Sequence, residues 1–555
     1  MDSYVGKTVL VTGTSGFVGK VWLAMMLDRV QDIGKLIIVL RKKGLRPVSN
    51  RFEKILNSSP VFKPLHEKFG ADLARFISDR VEIVEGDISK PNFGTDDVTA
   101  ARLQKESDLV INCAGLVDFN PDVRMAIGSN IDGAVYAADF AVEAECPLVH
   151  VSTCYVQGRK DGRVDESITI GYTPTGEEMD PQVELDAMRA VIAKVEAAHA
   201  TPEAETELVA DVRQKIIDRD MDKDNETLFK NMLRRERGQK LKKALATIGT
   251  ERADKMGWPN TYTWSKSLAE QLLARRAEET GLAYTVLRPA IVESSRDFPF
   301  AGWNEGFNTS GPVVYVLGTY VRHMPCREDV PFDVIPVDMV CNSITIAGAA
   351  VMAGTHRPVY HAASSGRNGM SIKRAVELTA LGHRQQLRKS GGSAMDRIVR
   401  SRFDCRTSAI EHPLALPRIQ RTARSLSKTF RNLPKGLPKG VRAQGKAVAK
   451  AAELADKQLK GVQKVFEVFQ PFIHDHRWIF ESDAMNTHNV VEPEFQFNPE
   501  SIDWRSYWLD VHVPGLYRWT FPTYEGKAAE TYTPAVKFKL AAPKAAPRKK
   551  AAGGR

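Results

Sequence analysis

The stretch GKTVLVTGTSGFVGKVWLAMMLDRV, residues 6–30, decides the fold. Thr8 to Thr12 reads as a short buried strand, and an apolar-periodic helix runs through Val21 and Leu27. Between them, Gly13, Gly16 and Gly19 are spaced so that the turn is tight, the backbone can approach a pyrophosphate and the helix can pack close to the strand. The turn residues Gly13, Thr14, Ser15, Gly16, Phe17, Val18 and Gly19 are therefore candidates for holding a dinucleotide, its phosphates at the helix N-terminus. A second apolar run, KLIIVL (35–40), follows, and where an NAD site usually carries an acid on the ribose, this chain has Arg41, Lys42 and Lys43. Arginine there suits a 2′-phosphate, so NADPH is the expected cofactor. A glycine-rich turn alone is weak, and basic residues after a strand are usually just solvated. Within one strand, turn, helix, strand unit the two reinforce each other.

The following runs fit the same sheet. VEIVEGD (81–87) ends in Asp87, with Ile88 next to it, and SDLVINCAG (107–115) ends in Ala114 and Gly115, small residues where the chain passes a bound dinucleotide. PLVHVSTCYVQG (147–158) ends in the hydroxyls Ser152 and Thr153, which point toward the crevice at the carboxyl ends of parallel strands. Alone they would more often bond backbone. In PNTYTWSKSLAEQLL (259–273), Tyr262 and Lys266 are four residues apart and share one helical face, where an ammonium can lower a phenol's pKa. That pair alone could equally be a surface pair on an amphipathic helix; with Thr153 it makes a Thr, Tyr, Lys set.

TGTSGFVGK, VSTCYV, PNTYTWSKSLAE and LRPAIVESS followed by PFAGWNEG give the chain its resemblance to an extended short-chain dehydrogenase/reductase. Within that superfamily it closely resembles the alcohol-forming fatty acyl-CoA reductases. HRWIFESDAMNTHN (476–489) and FNPESIDWRSYWLDVHVPGLYRWTF (497–521) resemble their small helical C-terminal domain. The resemblance implies an α/β fold, a Rossmann-type doubly wound parallel sheet with helical insertions. It implies that Tyr262 protonates the developing oxyanion, with Thr153 on the substrate carbonyl and Ser152 as its understudy, since the motif aligns to within one residue. Lys266 would bond the nicotinamide ribose and depress the tyrosine pKa, Asp87 would face the adenine, and Pro289 and Ile291 would border the nicotinamide. NCAGLVDFN has Gly115 where relatives often carry a second alanine, which is conservative for backbone approach.

The implied reaction is NADPH-dependent reduction of a long-chain acyl thioester, from acyl-CoA or acyl-carrier protein, to the aldehyde and on to the primary alcohol. A nucleotide-sugar epimerase or dehydratase would use the same set; PFAGWNEG and the C-terminal stretches argue against it. A dinucleotide-sensing protein without turnover would usually lack Tyr262 or Lys266. A protein whose basic segment binds membranes or polyanions is the third alternative.

At 555 residues, with 43% hydrophobic and 26% charged, the chain is long enough for two or three domains. Its six cysteines show no CxxC spacing, which fits a reducing compartment and argues against a disulfide framework and a metal site. The first strand begins within ten residues of the start, leaving no room for a signal peptide. The longest apolar stretch, ITIAGAAVMAG (344–354), is well short of the ~20 residues that cross a bilayer. Eukaryotic members of the family often end in a membrane anchor; without one, a bacterial-type, cytoplasmic protein is expected.

The expected organisation is a reductase domain over 1–370, a basic helix-prone linker over 371–460, a C-terminal domain over 461–525 and a disordered basic tail over 526–555. Residues 166–257 form a charged helical insertion that could cap the substrate. From Arg384 to Lys450 there are 17 Lys or Arg against 3 Asp or Glu, a local net charge of +14, against +10 for the whole chain. Within it, LPRIQRTARSLSKTFRNL (416–433) sets Leu416, Ile419, Ala423, Leu426, Phe430 and Leu433 at helical spacing among arginines and Lys428. Such a helix can pack on the core or meet an anionic membrane surface peripherally. No nucleic-acid fold signature accompanies it.

Overall fold

The computed structural model describes residues 1–540 apart from 320, 392, 395–397, 399–403, 413–414, 432–433, 435–437, 489 and 491. Seven parallel strands form one sheet: β1 Thr8–Thr12, β2 Lys35–Leu40, β3 Val81–Glu85, β4 Leu109–Asn112, β5 Leu148–Val151, β6 Tyr284–Pro289 and β7 Val359–Ala362. Their order is β7-β6-β5-β4-β1-β2-β3. Val9 of β1 lies between Leu36 of β2 and Leu109 of β4, and both of its faces are covered. That explains the continuous apolar runs in place of alternation. The strand order reverses between β1 and β4, so a crevice opens at their carboxyl ends, where Thr12 Oγ1 donates to Asn112 Oδ1 at 2.7 Å.

Helix α1 (Phe17–Arg29) follows β1 and is buried from Gly19 through Leu27. Helix α2 (Val48–Ser58) follows β2. The insertion forms three helices, α3 (Pro181–His199), α4 (Pro202–Asp218) and α5 (Glu226–Lys255), each started by a side-chain cap from Asp180, Thr201 or Asn225. Leu185, Met188 and Leu245 of this insertion share a core with Trp264, Leu268 and Leu272 of α6 (Thr261–Thr280). The insertion thus buttresses the outer side of α6. A buried ion pair, Arg288 Nη2 to Glu270 Oε2 at 2.6 Å, ties α6 to β6 on the other side. Helix α7 (Val337–Met352) contains the ITIAGAAVM stretch and packs on α1 and the sheet as a core helix.

Three boundaries differ from those expected. Helix α8 (Ile372–Ser390) falls in the supposed linker but belongs to the main core: Ile372, Ala375, Val376 and Leu378 are buried, and Trp508 Nε1 donates to Thr379 Oγ1 at 2.9 Å. After it come α9 (Leu416–Arg431) and α10 (Lys439–Gln470), which pack on each other, and α10 runs straight through the boundary expected at 460. The C-terminal region shares the main core, and its strand Trp478–Phe480 pairs in parallel with Gly162–Val164. Finally, residues 526–540 do not form the start of a disordered tail, because Phe538 is buried against Phe52 of α2. The rest of the expected tail, 541–555, lies outside the described residues, as do Leu433 and the side chains of Leu416 and Ala423. Among the described residues no helix is long and apolar enough to cross a membrane.

Candidate active site

A cavity of about 510 Å³ occupies the crevice and is lined by Gly13, Ser15, Gly16, Phe17, Val18 and Gly19 at one end. Gly13 has φ +83°, and a Cβ on it would stand 2.6 Å from Ala114 N; a Cβ on Gly19 would stand 2.3 Å from Gly13 O. Both positions exclude a side chain, so backbone at the start of α1 borders the cavity. Thr14 departs from the expectation. Its side chain is buried, its Oγ1 has no partner and it does not line the cavity.

Beyond the turn, the cavity is bordered by Arg41, Arg51, Asp87 and Ile88. Arg51 was not singled out by the sequence. It lies in the first turns of α2, donates through Nη2 to Ser15 Oγ at 2.9 Å and through Nη1 to the Arg41 carbonyl at 2.5 Å. Burial, and then the charge of Arg41, lower its pKa. Two cations and a hydroxyl so gathered match a phosphate dianion. Lys42 instead points to Glu85, at 3.5 Å, and does not line the cavity. Burial works to raise the Asp87 pKa, but hydrogen bonds from Ser89 and the charges of Arg41 and Lys90 hold it below the ordinary carboxylate range.

At the other end Ala114, Gly115, Ser152, Thr153, Tyr262, Lys266, Pro289 and Ile291 converge. Asn260 caps α6, accepting from Thr263 N at 2.9 Å, which sets Tyr262 in the first turn and Lys266 one turn on. The Thr153 hydroxyl stands beside the Tyr262 phenol and lowers its pKa, while its Oγ1 accepts from Tyr155 N at 3.4 Å and lies 3.5 Å from the Pro289 carbonyl. Ser152 Oγ is buried without a partner. Lys266 Nζ donates to the Val151 carbonyl at 2.8 Å, and a Cβ on Gly115 would sit 3.2 Å from Nζ, so glycine gives the ammonium room.

The expected depression of the phenol by Lys266 is not what this arrangement produces. Burial pushes the Tyr262 pKa up, and the Thr153 hydroxyl, not the ammonium, opposes it. Burial also lowers Lys266 to about 8, against the pull of Cys113 and Glu270. Cys113 borders the cavity, but burial raises its thiol to about 11, so it is not a thiolate at neutral pH. Cys154 is buried with Sγ 3.0 Å from the Arg288 carbonyl.

Past Tyr262 the cavity turns apolar, with Leu116, Val117, Phe119, Tyr155, Phe469 and Phe472 along it. Phe119 meets Tyr262 edge-on at 6.3 Å and Phe469 at 5.7 Å, and Phe472 meets Tyr155 at 4.9 Å. Among the described residues none from 166–257 lines the cavity, so the covering is supplied by the end of α10 and the turn after it. Loop residues Asn304, Glu305, Gly306, Asn308 and Thr309 close the remaining side, with Glu305 paired to Lys20 of α1.

A family model described as male sterility protein matches residues 11–344. The alcohol-forming fatty acyl-CoA reductase of Simmondsia chinensis is 27% identical over 538 residues, which are 92% of this chain and 96% of that protein. The probable fatty acyl-CoA reductase 5 of Arabidopsis thaliana is 28% identical with the same coverage of both. Among solved structures, the terminal R domain of the myxalamid PKS-NRPS biosynthetic pathway matches with a TM-score of 0.51 at 17% identity, over 94% of this chain and 93% of that one. That last likeness is one of fold.

Proposed function

The chain belongs to the male sterility protein family, that of the fatty acyl-CoA reductases, and on that premise we propose that it reduces a long-chain fatty acyl thioester to the primary alcohol with NADPH. One cavity carries this reading: it runs without interruption from the glycine turn, past Thr153, Tyr262 and Lys266, into the apolar wall of Phe119, Phe469 and Phe472. Acyl-CoA is the substrate taken here, and acyl-carrier protein would present the same thioester. An acyl chain on the aromatic wall sets its carbonyl at the hydroxyls.

The glycine turn at the start of α1 would hold the pyrophosphate, and Arg41, Arg51 and Ser15 the 2′-phosphate. Gly115, Pro289 and Ile291 would hold the nicotinamide; one NADPH would supply the hydride for the thioester carbonyl, and a second, bound after the oxidised cofactor leaves, the hydride for the aldehyde. Thr153 and Tyr262 meet the oxygen on which charge develops. Tyr262 gives up the proton; the Thr153 hydroxyl beside it stabilises the phenolate that remains. Lys266 would hold the ribose hydroxyls. Expulsion of the CoA thiolate from the tetrahedral species, with its hydroxyl proton returned to the Tyr262 phenolate, gives the aldehyde, and the restored phenol serves the second reduction. The raised pKa of Cys113 argues against a covalent thioester route. Purified protein given NADPH and palmitoyl-CoA should form hexadecanol, identified by gas chromatography; absence of aldehyde and alcohol would overturn the reading.

A peripheral membrane contact is the second element of the proposal. Ile419 and Leu426 are 38% and 42% exposed, two turns apart on α9, with Arg418, Arg421 and Lys428 exposed around them. Arg424 and Arg431 are engaged by Asp456 and Glu453 of α10, so only part of the basic face is spoken for within the fold. An exposed apolar pair ringed by cations fits an anionic lipid surface.

A further inference from the structure

Helix α2, which carries Arg51, is eleven residues long, and its N-cap residue Pro47 makes no side-chain cap hydrogen bond. A helix this short does not hold itself together in water, so its register depends on what packs against it. One side is the core, through Phe52 and Leu56. The other partner comes from residues 530–540. Glu530 is anchored to Arg518 of the C-terminal region at 2.6 Å, and Tyr532 lies with its ring 5.6 Å from that of His66. Phe538, 2% exposed, meets Phe52 edge-on at 6.1 Å. Asn57 closes a reciprocal pair with the Phe538 backbone: Nδ2 donates to the carbonyl at 2.9 Å and Oδ1 accepts from the N–H at 2.8 Å. The Leu540 N–H donates to Glu53 Oε1 at 3.0 Å. Phe52 and Glu53 directly follow Arg51. Among the described residues the strap does not line the cavity.

We infer that residues 530–540 are a strap that positions Arg51, and that through it they set the preference for a cofactor bearing a 2′-phosphate. This rests on the NADPH reading above. Fixing a long side chain before its ligand arrives removes an ordering cost from binding, and loss of one such restraint lowers affinity by about 2- to 10-fold. The loss should fall on phosphate recognition alone, because the glycine turn and the Thr153, Tyr262, Lys266 cluster have other supports.

The test is calorimetric titration of the full chain with 2′,5′-ADP and with 5′-AMP, in the parent and in Arg51→Ala, Phe538→Ala and Asn57→Ala. The parent should prefer 2′,5′-ADP, and Arg51→Ala should lose about tenfold or more of that preference. Phe538→Ala and Asn57→Ala should each lose about 2- to 10-fold, with 5′-AMP affinity unchanged and Phe538→Leu restoring most of the loss. Amide hydrogen exchange across 48–58 should speed up in Phe538→Ala. A parent without preference would remove the premise and the inference with it. A parent that prefers 2′,5′-ADP, joined to a Phe538→Ala variant with the parent's ratio or with equal weakening of both ligands, would overturn the strap and leave the cofactor reading standing.

Discussion

Tyr262→Phe removes one oxygen and leaves most of the site as it was. The ring keeps its edge contact with Phe119, Asn260 still caps α6, and Lys266 keeps its bond to the Val151 carbonyl. Thr153 Oγ1 keeps the Tyr155 N–H at 3.4 Å and the Pro289 carbonyl at 3.5 Å. Only the proton donor goes. Removing one oxyanion donor costs about 10² to 10³ in kcat, and a positioned general acid contributes about 10² to 10⁴. The two functions belong to one hydroxyl, so the expected loss is about 10³ to 10⁴, or about 4–5 kcal/mol of barrier. NADPH oxidation should be followed separately with palmitoyl-CoA and with hexadecanal, alongside NADPH affinity and a thermal melt. Both rates should fall together while affinity and melting stay near those of the parent. Retention of most activity with either substrate would refute the assignment for that step, and a matching loss of NADPH binding would move Tyr262 from chemistry to cofactor holding.

Arg41→Ala should weaken NADPH by roughly 1.5–3 kcal/mol and leave NADH nearly untouched, whereas Lys42→Ala, whose amine faces Glu85, should leave the ratio of the two Kd values unchanged. Glu293, fully buried near His512 and accepting from Ser310 N at 2.7 Å, has its pKa raised to about 7 by burial. Its contribution to stability is therefore present in full below about pH 4.5 and lost as pH rises to about 7, so the stability difference between the parent and Glu293→Gln should shift by about 3 kcal/mol across that window in denaturant titrations; a pH-independent difference would mean an ordinary carboxylate. Anionic liposomes should sediment the protein at low salt and release it near 1 M, where the Debye length is about 3 Å, and Leu426→Ser with Arg418→Gln and Arg421→Gln should abolish sedimentation. Equal sedimentation of that variant would return α9 to a packing role.

Where the sequence is informative, the information is local. The glycine turn, the apolar strands and the Tyr262/Lys266 spacing each lie within one element, and periodicity reports on single elements. Thr14 sits inside the turn motif yet faces inward, because a motif gives spacing and not the direction of each side chain. Arg51 escapes notice for the opposite reason: it lies on an amphipathic helix among other charges, and only the packing of α2 against β3 brings it to Ser15. The aromatic wall is formed by Phe119 together with Phe469 and Phe472, some 350 residues away along the chain, and nothing in local pattern predicts such a meeting. The substrate cap was expected in the 166–257 insertion on grounds of position between Thr153 and Tyr262. Its apolar stripes match α6 instead, so it supports the catalytic helix from behind. The disordered reading of residues 526–540 failed because one buried phenylalanine outweighs a low-complexity context.

The central claim is two successive hydride transfers to one acyl carbon. NADPH dideuterated at C4, supplied with palmitoyl-CoA, should yield hexadecanol carrying two deuterium atoms at C1, with two NADPH consumed and one CoA thiol released for each alcohol formed. Product without deuterium at C1, or NADPH consumption with no release of thiol, would contradict the account.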